Sequence, residues 1–510
     1  MQVILNKYKW IVRGNVHACG YCFDSQGTLY CGEQLCAYFA NIADEKEFAQ
    51  RAHDANGFFA VVIQTPQRVL AATDRICRFP LYYSNQAITD DHAALATSLE
   101  WDDLGRAFYR ASGATFPGHT LLQSVRQLPP AGIAIYQSSS WSTDTYYSFL
   151  CKKKEERAIS VDQLDQIMVG VFDRFLKTVN GRQLIIPLTA GNDSRLILCM
   201  LKRLHYSNVL CFTIEGKDGQ EWEGADMAAR QLNYPHVKID MQDEKVRQLL
   251  NPVSECFENY YCFVGGLTNF CWLAEYVAVR YLEQQGLISK DAIFVPGHSG
   301  DTIGGSHLTK AKVKEQMAVS ALVRRMQYIG FEYGTDQKVK NALQSYFSNA
   351  VQKGYTPYSA YQNWIVQHRQ AYNIIHSVRT YDFFGYEVRL PLWDTCLCDV
   401  FARLPYASLQ ASSLYIQYVQ YVLGLLGLNA NPNHKGTSWQ KVAIRKWLKK
   451  HMPTSMLRLW RKPLDPIGEW ALSLPLAREM SSYLGKPFVY TNSNELLVRW
   501  HEMRVAQGRG

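Results

Sequence analysis

The spacing of apolar residues changes near residue 150. Before it, they come in short runs. Segments 29–35, 58–63, 69–72, 81–83 and 132–136 read as strands between turns, with few long helical patterns. Residues 151–157, CKKKEER, form a charged connector poor in apolar side chains. Beyond it, the apolar runs 184–188, 209–214 and 292–295 alternate with stretches of helical period, which implies parallel βαβ units. From about residue 310 the pattern is mostly helical. The chain therefore divides into a strand-rich domain over 1–150 and an α/β domain over 151–510. It has no internal repeat and no low-complexity segment.

The most informative stretch is LIIPLTAGNDSRLILCML, residues 184–201. A buried-strand run breaks at Thr189, Ala190 and Gly191, and helical character begins at Ser194. The turn has no bulky side chain before Asn192, so its backbone N–H groups can close around an anion, helped by the positive end of the following helix. Asp193 stands at the mouth, where a carboxylate repels bare phosphate but holds the magnesium that accompanies it. No GKS or GKT follows, which excludes a Walker loop. Instead, Thr189-Ala190-Gly191-Asn192-Asp193-Ser194 resembles the SGGxDS pyrophosphate loop of ATP pyrophosphatases, with Thr for Ser and Ala for Gly. A helix cap by Asp193 or Ser194 is the other reading of these residues alone.

The pattern returns at 292–305, where AIFV runs into PGHSGDTIGG. A second aspartate, Asp301, at a second strand end is what a magnesium triphosphate site needs. The strand over 209–214 ends beside them, which puts the backbone near Thr213 and Ile214 within reach of a nucleotide base. Glu387 and Arg389, before Pro391, read as a structural ion pair. A basic tract runs from Lys435 to Lys462 and reads mostly as a solvated helix face. Lys462 stands apart, after Pro453 and before Pro463, where a lysine can neutralise a polyphosphate in the transition state.

Composition narrows the class. A chain of 510 residues with 47% hydrophobic and 19% charged residues suits a globular protein with a large core. A net charge of +9 admits an anionic substrate without demanding nucleic acid. No window approaches the ~20 unbroken apolar residues of a membrane span, and the N-terminus is a poor signal peptide. The 13 cysteines, with one isolated Cys19-x-x-Cys22, read as reduced core thiols in a cytoplasm.

In order along the chain, these pieces resemble the class B asparagine synthetase family. The pyrophosphate loop comes first, followed by the helix 225–232 running to His236, then GHSGDTIGG (297–305), EVRLPLWD (387–394) and RKPLDPIGEW (461–470). Upstream, NGFFAVVI (56–63), ATDRICRFPLYY (72–83) and the segments 118–121 and 128–132 resemble the family's N-terminal region. The resemblance implies an N-terminal α+β sandwich of the N-terminal-nucleophile glutaminase kind. It also implies a C-terminal α/β synthetase domain of the adenine nucleotide alpha hydrolase type, a parallel sheet flanked by helices. Its cofactors would be ATP and Mg²⁺, and its chemistry acyl-adenylate formation with release of pyrophosphate. By position, Leu188, Ile214 and Gly297 would touch adenosine, Thr189 to Ser194 would hold pyrophosphate, Asp193 and Asp301 would hold magnesium, and Lys462 would stabilise adenylate formation.

The departures set the remaining expectations. Family glutaminases use a cysteine directly after the initiator methionine as the nucleophile, whereas this chain reads Met1-Gln2-Val3, and its first cysteine is Cys19. The expected activity is therefore an amide ligase that does not itself hydrolyse glutamine. It would join a small-molecule or peptide carboxylate to ammonia, to an amine, or to nitrogen from a separate source. Sugar-acid amidation for surface polysaccharide and asparagine formation both fit. An intramolecular cyclase of the β-lactam synthetase or lasso-peptide cyclase type, with Glu387 as base, is a further reading. A nucleotide-binding scaffold or an RNA-binding ATP pyrophosphatase is a reading of another class. His298 and Arg195 have no assigned role.

Overall fold

The computed structural model describes residues 1–96, 98–215, 220–252, 254–326, 336–428, 474–488 and 493–508. The N-terminal part carries two sheets. One is four-stranded, in the order β1 (Gln2–Ile4), β8 (Ala87–Thr89), β7 (Tyr82–Tyr83), β9 (Arg126–Gln127). The other is seven-stranded and antiparallel. Its order is β11 (Ser140–Thr145), β10 (Gly132–Gln137), β6 (Arg68–Thr73), β5 (Asn56–Gln64), β3 (Val16–Phe23), β2 (Ile11–Arg13), with β4 (Leu29–Cys31) also on β3. Strand β5 is buried on both faces from Phe58 to Ile63, which explains its unbroken apolar run. Cys19 and Cys22 lie on the one strand β3 at an odd spacing, so they face opposite sides of the sheet and cannot share a metal.

Two expectations for this region need correction. The run 29–35 is not one strand. Gly32 turns the chain at φ 56°, and helix α1 (Glu33–Tyr38) follows, burying Leu35 and Cys36. Helices also interrupt the strands. The helices α2 (Glu45–Asp54) and α3 (Asp103–Ser112) have ten residues each, capped by Asp44 and Asp102.

After helix α4 (Val161–Lys177), opened by a Ser160–Gln163 capping box, comes a five-stranded parallel sheet. Its order is β14 (His236–Asp240), β13 (Val209–Glu215), β12 (Leu184–Pro187), β15 (Ile293–Phe294), β16 (Glu387–Val388). Helix α5 (Asn192–Arg203) follows β12, and α6 (Gln220–Gln231) follows β13. The chain leaves β12 towards β13 and β14, then returns on the other side through β15 and β16. That places a topological switch point between β12 and β15, and the crevice beyond their carboxyl ends is where such sheets bind ligands.

The two parts share one hydrophobic core, in which Phe58, Ile76, Phe108 and Phe149 pack with the residues around the parallel sheet. Charged pairs add to it. Arg78 donates two hydrogen bonds to Asp382, at 2.8 and 2.7 Å, and Arg75 reaches Asp399 at 2.6 Å. Asn56 donates to Asp394 at 3.0 Å, and Asp394 also takes two bonds from Arg174. Among the described residues, no helix is long and apolar enough to cross a membrane.

Candidate functional site

The buried β12 residues Leu184, Ile185 and Ile186 deliver the chain to its loop with almost no freedom. The Leu188 N–H donates to the Phe212 carbonyl at 2.8 Å, and Thr213 Oγ1 donates back to the Leu188 carbonyl at 2.7 Å. The loop then folds on its own side chains. Thr189 N–H donates to Ser194 Oγ at 3.1 Å, and Gly191 N–H to Thr189 Oγ1 at 3.1 Å. Arg195 is buried and braces the turn, with Nε on the Gly191 carbonyl at 2.9 Å and Nη2 on Asn192 Oδ1 at 3.1 Å.

Asp193 does not cap its own helix. Its carboxylate accepts the Asp301 N–H at 3.1 and 3.2 Å and the Tyr415 hydroxyl at 2.6 Å. The two strand-end loops therefore touch, and Gly297 is why they can. A Cβ there would stand 2.8 Å from the Ser194 nitrogen, closer than a side chain tolerates, and 3.2 Å from the Asp193 Cβ. Burial and the nearby Asp301 charge push the Asp193 carboxyl up to about 7. Asp301 itself is partly exposed, with Lys310 Nζ at 3.4 Å. Two like charges held together create a demand for a cation. Among the described residues, no cluster of three or more His, Cys, Asp or Glu could cage a metal. Two carboxylates suit a magnesium ion that draws its other oxygens from phosphate and water.

Both loops open on one cavity of about 590 Å³. Leu188, Thr189, Gly191, Asn192, Asp193, Ser194, Ile214, Gly297 and Asp301 all line it, so most residues singled out from sequence come together here. Ala190 contributes its backbone, donating N–H to Glu221 Oε2 at 2.9 Å. His298 also lines the cavity, with Nε2 3.5 Å from Ser377 Oγ, and burial lowers its imidazole to about 4. Four residues that sequence reading missed complete the surroundings. Glu221, Glu275 and Tyr381 are in the wall, and Tyr415 stands behind Asp193. Tyr381 stacks on Phe294 with ring centroids 4.2 Å apart. Only Glu221 carried a local signal, as an acid in the first turn of the helix after β13.

Glu387, a candidate catalytic base from the sequence, does not line this cavity. It pairs with Ile293 at the start of β15 rather than at the carboxyl end. Its carboxylate takes Arg182 Nη1 at 2.5 Å and Arg389 Nη2 at 2.7 Å. Burial alone would raise its pKa, but these two guanidinium groups hold it down to about 2, which makes it a very weak proton acceptor. Lys462, with the basic tract from Lys435 and the 461–470 segment, lies outside the described residues.

In the N-terminal part, Gln2 is a β1 residue paired with Ala87, and its N–H donates to the Gln86 carbonyl at 3.0 Å. Cys19 is buried within β3, and burial pushes its thiol well above the usual range, away from the thiolate form a nucleophile needs.

A family model described as asparagine synthase matches residues 177–499. No curated protein matches the chain. Among solved structures, the chain is similar to glutamine phosphoribosylpyrophosphate amidotransferase from B. subtilis complexed with ADP and GMP. Identity is 10%, coverage 56% of this chain and 63% of that one, and the TM-score 0.18. A second, described as the allosteric regulatory enzyme of purine biosynthesis, is 11% identical over 58% of each chain, with a TM-score of 0.17. The chain thus spans about six-tenths of the length of these two structures.

Proposed function

The chain belongs to the asparagine synthase family, and on that premise we propose that it is an ATP-dependent, AMP-forming amide ligase. A carboxylate oxygen of the substrate attacks the α-phosphorus of ATP. The bond from that phosphorus to the bridging oxygen of the β-phosphate breaks, and pyrophosphate leaves. A nitrogen nucleophile then attacks the acyl carbon of the adenylate, loses a proton and expels AMP. The observation that carries this reading is the junction of two strand-end loops, Asp301 N–H on the Asp193 carboxylate, at the mouth of one cavity.

In this reading Leu188, Ile214 and Gly297 face adenosine. The loop from Thr189 to Ser194 receives the departing pyrophosphate with backbone N–H groups and the Ser194 hydroxyl. Asp193 and Asp301 would hold magnesium, which neutralises phosphate charge when bound. Lys462 is proposed as the cation that meets charge developing in the transition state. The nitrogen is proposed to be ammonia or an amine, brought by the substrate or by a separate source.

Exchange of labelled pyrophosphate into ATP tests the adenylation step. It should require magnesium and one acid from a panel of aspartate, sugar acids and carboxylated peptides. ATP binding without exchange for any member of such a panel would favour a nucleotide-binding scaffold instead.

A further inference from the structure

Of the three turn amides in the pyrophosphate loop, two are satisfied locally by the Ser194 and Thr189 hydroxyls. The third, Ala190 N–H, donates to a carboxylate 31 residues further along, Glu221 Oε2 at 2.9 Å. This partner is unexpected. Glu221 is an exposed residue in the first turn of α6, where its charge would already be favoured by its own helix. It is aimed at the loop instead. The next residue, Trp222, has its N–H held at 2.6 Å by the carboxylate of Glu215, a buried residue at the end of β13, and this fixes the start of α6 beside the loop.

A carboxylate oxygen on a loop N–H makes the bond a phosphate oxygen would make. It also adds negative charge where a triphosphate must sit. Asp193, Glu221, Glu275 and Asp301 all line the cavity, and no lysine or arginine does so among the described residues. Asp193 and Asp301 stand at the junction of the loops, where a cation relieves them. Glu221 occupies a phosphate donor.

We propose that Glu221 is the resting occupant of the pyrophosphate loop, and that a phosphate oxygen of ATP displaces it from Ala190 N–H. This rests on the reading of the cavity as an ATP site. Glu221 then sets ATP affinity by competition. It keeps a buried amide paired when the site is empty, and it weakens binding of any ligand that lacks enough phosphate charge to replace it.

Calorimetric titration of the full chain with magnesium–ATP, magnesium–pyrophosphate and AMP tests this. Glu221→Gln keeps the shape and a neutral acceptor but removes the charge, and Glu221→Ala removes the occupant altogether. Both variants should bind ATP and pyrophosphate roughly three- to tenfold tighter than wild type, since a neutral or missing competitor gives up the amide more readily. AMP, which does not reach the loop with a β- or γ-phosphate, should bind within about twofold of wild type. A Glu221→Gln variant that binds ATP equally or more weakly, beside a wild type that binds it, overturns the proposal and makes Glu221 a loop brace or a magnesium ligand. Failure of all three proteins to bind ATP overturns the ATP reading itself, and this inference with it.

Discussion

Arg78 and Asp193 are both charged residues in loops that follow a strand, and they differ in what surrounds them. Arg78 has a side chain only 2% exposed, and Asp382 answers it with both oxygens. Asp193 is half-buried at the edge of a cavity, and its charged neighbour is another acid, Asp301. The loop after β6 has a cancelled charge and joins the N-terminal sheets to the rest of the chain. The loop after β12 has an uncancelled one and faces a cavity. A paired buried charge is structural, because breaking it leaves the partner stranded. A pair of like charges costs stability and is kept where something else supplies the missing charge.

The largest effect should come from breaking the cancelled pair. Arg78→Met leaves Asp382 buried without its cation, and ~3–5 kcal/mol of stability should be lost, measured by urea unfolding. Adding Asp382→Leu should restore part of it, because the double variant no longer leaves that acid without Arg78, although Arg379 then loses a nearby acid. Activity should suffer with stability, since Asp382 follows Tyr381, which lines the cavity. A single variant within ~0.5 kcal/mol of wild type would mean that the ion pair is as dispensable as a surface one, and the contrast with Asp193 would collapse.

Asp193→Asn and Asp301→Asn should split the two readouts. Each removes one of two repelling charges, so folding stability should hold or rise. Each also removes a charged oxygen from the proposed magnesium site, so pyrophosphate exchange should fall at least about a hundredfold, a loss of ~3 kcal/mol of transition-state stabilisation. Variants that lose stability while keeping turnover would make the Asp193–Asp301 contact a structural junction like Arg78–Asp382.

This contrast bears on what sequence could reveal. Residues 184–194 form one unbroken strand, loop and helix start, so this loop is written locally: the strand expected over 184–188 is β12 at Leu184–Pro187, and the helix expected from Ser194 begins two residues earlier, at Asn192. The second loop repeats the pattern and was legible for the same reason. Tyr415 was not, because it reaches Asp193 from a helix 222 residues away. Glu275 and Tyr381 enter the wall from helices that no local motif marks as part of a site. Helices α2 and α3 carry their own local signals among the strands, Asp44 with Glu47 and Asp102 before an amphipathic run. Glu387 lies away from the cavity lining; a sequence can place an acid in a motif without saying which end of its strand it occupies.

Glu387 gives the smallest effect and the sharpest control. It is a charge of the structural kind, cancelled by Arg182 and Arg389, but its side chain is 51% exposed, so solvent screens the pair. Glu387→Gln should therefore change stability at neutral pH by less than ~1 kcal/mol and pyrophosphate exchange by less than about twofold. Its signature lies in acid. Burial works against the charged form, yet the two arginines lower the carboxyl from its ordinary 4.5 to about 2 in the fold. A depressed carboxyl stabilises the fold fully above its unfolded value and stops doing so as pH falls through the folded one. Wild type should thus lose a small increment of stability between about pH 4.5 and 2, and the glutamine variant should lack that increment. Urea titrations across this range measure the difference. If instead Glu387→Gln abolished turnover at neutral pH while leaving the fold intact, Glu387 would return as a base, and the cyclase reading with it.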